Sequence, residues 1–196
     1  MKDRIRILSR EAAARGFGLL ERLRLQRTRF DGRPQQLAYE IYDTGDGAAI
    51  LLCDPSRGRV LLVRQFRLPP FLKDGRESLI EVCAGRLEGS DPESRIKREA
   101  EEETGYRVRR VRRLFEGYVS PGAFCEKLTF FAGEYAAGDR SGPGGGADAD
   151  EDIELLEPTL DEALAMIAAG EIIDAKTILL LQYAKLEGLL QFPEAG

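Results

Sequence analysis

The stretch Gly85–Tyr106 reads GRLEGSDPESRIKREAEEETGY. Asp91 stands just before Pro92, and Gly105 follows Thr104. Asp is a good N-cap, Pro fits the first helical position and Gly suits a left-handed exit. Together they predict a helix over 92–104, about 20 Å long at ~1.5 Å per residue. Glu99, Glu102 and Glu103 stand at i, i+3 and i+4, so their side chains share a face. Like charges at that spacing cost roughly 0.2–0.5 kcal/mol per pair. They also crowd the helix end that is already negative. Arg95 and Arg98, four residues before Glu99 and Glu102, offset part of this. A solvated Glu/Arg face is the plain reading of such a helix. The acidic cluster at the unfavourable end, and the Ala84-Gly85 turn before the helix, favour another. Divalent cations convert the repulsion into coordination, as in a Mg²⁺ platform for phosphate chemistry.

The rest of the chain bounds that reading. Its 196 residues suit one domain with a small appendage and can bury a full core. Lys and Arg number 29 against 34 Asp and Glu, a formal net charge of −5. An acidic chain with an Arg-rich run at 22–29 but no aromatic interleaving argues against a nucleic-acid partner. There is no His, which removes His-ligated metal sites and every Ser-His or Cys-His pair. Any metal therefore sits on oxygen, which suits Mg²⁺, Mn²⁺ or Ca²⁺. Cys53, Cys83 and Cys125 are odd in number and far apart in apolar surroundings, so they read as reduced, buried thiols of a cytoplasmic protein. The charged start of the chain shows no signal peptide, and no apolar run approaches a membrane span.

Around the central stretch the chain alternates strands with helices. Ala48–Cys53 and Val60–Phe66 are apolar runs flanking a turn at 54–58, the pattern of a buried hairpin. Ser78–Ala84, Val108–Tyr118, Glu126–Tyr135 and Ile153–Leu156 read as further strands. Thr159 to Glu162 is a capping box opening a helix that stops at Gly170, and Asp174 opens a last helix to about Leu186. Gly138–Asp150 is a glycine-rich loop, flexible enough for a gate, ending in the acidic residues Asp148, Asp150, Glu151 and Asp152. Residues 1–45 form thin strands with too few apolar residues for a core of their own. They are set apart from a main domain at 46–196 and are expected to pack on it or on a second subunit.

The central stretch resembles the Nudix box, G-x5-E-x7-R-E-U-x-E-E-x-G-U, through Gly85, Arg98-Glu99-Ala100, Glu102-Glu103, Gly105 and Tyr106. It departs in carrying Asp91 for the first Glu and in a Gly85–Arg98 spacing one residue shorter. Arg64–Arg67, Glu81–Gly85, Ser120–Gly122, Glu151–Glu154 and Asp174–Thr177 extend the resemblance to the nucleoside-diphosphate-sugar branch, most similar to its GDP-mannose type and next to its ADP-ribose type. The resemblance implies an α/β fold, an α-β-α sandwich with a mixed sheet, plus a small N-terminal antiparallel β segment exchanged across a homodimer. It implies hydrolysis of the pyrophosphate bond of a nucleotide sugar, with Mg²⁺ as cofactor and Mn²⁺ as substitute. By position, Ala84, Glu99, Glu103 and Glu151 would hold the metal. Glu151 or Glu102 would serve as base. Phe17, Ala38, Tyr39, Glu40, Arg67, Gly85, Arg86, Glu126, Asp150 and Lys176 would meet the substrate.

Phe17 and Tyr39 replace the Tyr and Arg of the GDP-mannose type, which bears on base and sugar choice. A plainer reading makes Phe17 a core plug, Arg67 a surface residue and Lys176 a solvated helix start. A third function class, a non-catalytic nucleotide-sensing module, is opposed by the intact Glu99, Glu102 and Glu103.

Overall fold

The apolar runs at 48–53 and 60–66 lie at the centre of a mixed sheet in the computed structural model, which describes residues 4–146 and 152–190. In chain order the strands are β1 (Ile5–Arg15), β2 (Leu19–Thr28), β3 (Pro34–Asp43), β4 (Gly47–Asp54), β5 (Arg59–Gln65), β6 (Leu79–Glu81), β7 (Cys83–Arg86), β8 (Arg109–Tyr118), β9 (Lys127–Glu134) and β10 (Ile153–Leu156). The helices are α1 (Leu68–Asp74), α2 (Pro92–Thr104), α3 (Leu160–Ala168) and α4 (Ala175–Leu186). They fall into two compact units, Met1–Asp46 with Tyr118–Lys127, and Gly47–Gly117 with Leu128–Gly196.

The larger unit is ordered β10-β5-β4-β9-β8, with β6 paired to β5 and β7 to β4. β4 runs antiparallel to β5 (Leu52 opposite Leu61) and parallel to β9 (Ile50 opposite Phe131). Every residue of β4 is buried, because both faces of the sheet are covered. Ala49, Leu51 and Cys53 join a core with Leu160, Ala163, Leu180 and Leu181 of α3 and α4. Ala48, Ile50 and Leu52 join a second core with Ile96 and Ala100 of α2. Side chains alternate across a strand, so one uninterrupted apolar run feeds two layers. This is the sandwich that the resemblance implies.

The punctuation of α2 is realised at both ends. The Asp91 carboxylate accepts from Ser94 N at 2.9 Å, and Gly105, at φ 71°, donates its N–H to Glu101 O at 2.9 Å. The Thr159 capping box and the Asp174 cap also form. Two elements differ from the sequence reading. Ser78–Ala84 is not one strand: Val82 N leaves the ladder to donate to Thr177 Oγ1 at 2.9 Å, so the segment serves β5 on one side and β4 on the other. α1, with Pro at its start and no buried residue, is unannounced because seven residues show no helical period.

The smaller unit is an antiparallel sheet in the order β1-β2-β3. Its strands reach past the apolar marks in the sequence. Leu25 sits between Ile7 and Leu37, and Leu23 between Arg10 and Tyr39, giving one face an apolar stripe. Arg22 lies between Glu11 and Glu40 on the charged face. Among these strand residues only Glu21 is buried. Its carboxylate accepts two bonds from the Arg10 guanidinium, at 2.7 and 2.5 Å. Residues 118–127 close this unit, with Tyr42 N donating to Ala123 O at 2.8 Å and the Tyr42 and Phe124 rings meeting edge to face.

Candidate active site

β7 brings Ala84, Gly85 and Arg86 alongside α2. A Cβ on Gly85 would lie 2.5 Å from Glu99 Oε1 and 2.6 Å from its Cδ. Only glycine lets that carboxylate rest against the backbone of β7. Arg95 fixes the arrangement: it ion-pairs with Glu99 one turn later, and its Nε donates to Arg86 O at 3.0 Å. One turn beyond Glu99, the Glu103 side chain is buried. The Cys83 thiol is pushed well above its usual range, first by burial, then by the charge of Glu103 and a hydrogen bond to it, and more weakly by Glu99. Cys83 is thus held as a neutral thiol beneath a concentrated negative field. Glu102 lies 3.7 Å from Arg98, and the Glu101 carboxylate accepts from Val108 N at 3.1 Å.

Among the described residues no three acidic or thiol side chains form a closed metal cage. What is present is two carboxylates of one helix face beside an open stretch of backbone. Such an open, all-oxygen set fits Mg²⁺, which keeps several waters and takes few protein ligands. The room that Gly85 leaves for Glu99 fits the same purpose.

A second cluster lies where β5, β6 and α4 meet. The Glu81 carboxylate, only 3 % exposed, accepts from Arg67 Nε at 2.7 Å and from Lys176 Nζ. Lys176 also pairs with Asp174 at 3.0 Å. Arg67 and Lys176 are therefore neither a plain surface residue nor a solvated helix start. Burial pulls the Lys176 ammonium down, but Glu81 and then Asp174 more than reverse this, leaving it above its ordinary value. Sequence reading missed Glu81 as a site residue. Its one signal was a lone carboxylate in the apolar run Leu79–Cys83.

The described part of the glycine-rich loop, through Gly146, is hydrogen-bonded to the end of α2, and residues 147–150 lie outside the described residues. Ser141 N and Gly142 N donate to Gly105 O at 2.7 and 3.1 Å, and Gly145 N to Glu103 O at 2.8 Å. These amides satisfy carbonyls that a helix end leaves without intrahelical partners. A Cβ on Gly105 would lie 2.4 Å from Gly142 O, and one on Gly144, at φ +70°, 2.7 Å from the carbonyl carbon of Thr104. Gly105 and Gly144 thus provide the clearance for backbone packing at the end of α2.

Arg67, Ala84, Gly85, Arg86, Glu99, Glu102, Glu103 and Lys176 all belong to the larger unit. Phe17, Ala38, Tyr39, Glu40 and Glu126 belong to the smaller one. Phe17, 72 % exposed in the β1–β2 turn, is no core plug. Asp150 and Glu151 lie outside the described residues.

Comparison with known proteins agrees with this geometry. The family model of the NUDIX domain matches residues 43–178. The chain is 44 % identical to a protein of Citrobacter koseri named GDP-mannose pyrophosphatase, over 97 % of this chain and 100 % of that one. Proteins of the same name from Shigella flexneri serotype 5b and Escherichia coli O157:H7 are 43 % identical over the same shares. A crystal structure of an ADP compounds hydrolase superposes with a TM-score of 0.73, covering 95 % of this chain and 96 % of its own at 17 % identity, a likeness of fold.

Proposed function

The chain belongs to the Nudix family, and from that premise we propose that it hydrolyses the pyrophosphate bond of a nucleotide sugar, splitting GDP-mannose into GMP and mannose 1-phosphate. The observation that carries this reading is the Glu99 carboxylate lying against Gly85, with Glu103 buried one turn away. Ala84, through its carbonyl, together with Glu99, Glu103 and Glu151, would hold Mg²⁺, with Mn²⁺ as substitute. The bound cation supplies charge neutralisation at the phosphoryl oxygens and a bound water of lowered pKa. Glu99 is held for this by Arg95 and by the clearance at Gly85. Glu151 or Glu102 takes the proton of the attacking water. Water adds to one phosphorus, the bridging P–O bond breaks, and two phosphomonoesters leave. Arg67 and Lys176 contribute charge-assisted hydrogen bonds to the phosphates, and Gly85, Arg86 and Asp150 would also meet the substrate.

Phe17, Ala38, Tyr39, Glu40 and Glu126 would meet the nucleoside and sugar. A homodimer of cytoplasmic location accompanies this reading. The apolar stripe through Ile7, Leu23, Leu25, Leu37 and Tyr39 supports a covering second copy. No helix among the described residues is long and apolar enough to cross a membrane. Phe17 and Tyr39, in place of the Tyr and Arg of the GDP-mannose type, favour testing ADP-ribose beside GDP-mannose. The test is incubation of the purified protein with Mg²⁺ and a panel of nucleotide sugars. GDP-mannose is expected to show the highest kcat/KM, and a folded protein that cleaves no member of the panel overturns the proposal.

A further inference from the structure

Glu81 is a buried charge with no place in the reaction described above, yet it holds two residues that have one. It sits on β6 opposite Val63 of β5. Its two oxygens are divided between a cation just beyond the end of β5 and a cation in the first turn of α4. We propose that Glu81 is a positioning residue for phosphate binding: it orients Arg67 and holds Lys176 so that both present N–H groups to the pyrophosphate of the nucleotide sugar. The proposal rests on the function given in the preceding subsection and deepens it.

The donor inventory supports this division. A guanidinium carries five N–H donors in a rigid fork. Arg67 uses Nε on Glu81, which sets the plane of the fork, while its side chain stays 42 % exposed. An ammonium carries three donors. Lys176 spends one on Glu81 and one on Asp174, which leaves a third among the described residues. Asp174 is itself fixed, accepting from Thr177 N at 2.9 Å and Thr177 Oγ1 at 2.6 Å, while Val82 N donates to the same hydroxyl. The frame around the two cations is therefore hydrogen-bonded before substrate arrives. An anchor shared by both matches two cations that must act on one diphosphate. Pre-ordered donors also lose less freedom when the ligand binds.

The test is steady-state kinetics of Glu81→Gln, which keeps shape and loses charge, with GDP-mannose and Mg²⁺. KM is expected to rise roughly tenfold or more, as for weakened charged hydrogen bonds, with kcat changed far less. The Mg²⁺ concentration for half-activation is expected to stay within about twofold, because Glu99 and Glu103 are untouched. With Asp174 left as the only carboxylate on Lys176, kcat/KM turns down at a lower pH than in the wild type. A purely structural role would instead lower the melting temperature and the active fraction at constant KM, and that result overturns the inference. If Glu81→Gln does not fold, Glu81→Asp keeps the charge but withdraws it from both cations. The same KM rise is expected there, and a wild-type KM overturns the inference. Wild-type protein that cleaves no nucleotide sugar defeats the proposed function itself, whereas an active wild type with an unaltered variant defeats only the role of Glu81.

Discussion

β4 and β1 are both strands, yet all eight residues of β4 are buried and ten of the eleven in β1 are exposed. The sheet around β4 has a helical layer on each face and builds two cores. The sheet around β1 has an apolar stripe, a charged face and one buried carboxylate. Three strands with an uncovered apolar face are marginal alone. The difference separates two jobs. The larger unit can fix carboxylates and cations to within a hydrogen-bond length. The smaller unit offers surface, and its stability depends on what covers it.

The strongest way to break this contrast is through turnover. Glu103→Gln is expected to reduce kcat by more than about 100-fold, exceeding the usual cost of losing a residue that only supports a metal ligand. Its melting temperature is expected to hold or rise, since one like-charge neighbour of Glu99 is gone. Near-normal activity would mean that the buried face of α2 is only structural. The next effect is on stability. Leu52→Ala is expected to cost about 2–5 kcal/mol in denaturant unfolding, as for any fully buried leucine. Leu25→Arg is expected to leave that transition nearly in place and to convert a dimer to a monomer by light scattering. A wild-type monomer at micromolar concentration would end the dimer proposal.

The smallest effect is acid sensitivity of the thin sheet. The hydrogen bond and charge of Arg10 hold Glu21 below its ordinary carboxylate value of 4.5, against the opposing effect of burial. A depressed carboxylate stabilises the fold above its unfolded pKa, and that contribution fades as pH falls through the folded one. The gap in melting temperature between wild type and Arg10→Gln is therefore expected to be constant near neutrality and to close below about pH 4.5. A gap that does not narrow at all as pH falls below about 4.5 would assign Arg10 a packing role instead.

Legibility followed the range of the interactions. Asp91, Pro92 and Gly105 act within a turn of their own positions, so α2 could be bounded from the sequence alone. The apolar runs at 48–53 and 60–63 revealed a strand pair covered on both faces for the same local reason. The break at Val82 was hidden because its partner, Thr177, is 95 residues away. Glu81 was hidden likewise: Lys176 comes to it from an equal distance along the chain. The glycines at 142–146 were visible, but the close approach at Gly144 was not. Glycine grants both flexibility and clearance, and only the position of α2 shows that Gly144 is needed for clearance.

That clearance sets a boundary for anyone redesigning the protein. Where the main chains at Gly105 and Gly144 touch, every other amino acid brings an atom into occupied space. A combinatorial library aimed at a new sugar would waste its members on these two codons. Diversity belongs instead on side chains of the smaller unit that the proposed function sets against nucleoside and sugar, such as Phe17 and Tyr39, 72 % and 44 % exposed in the single chain.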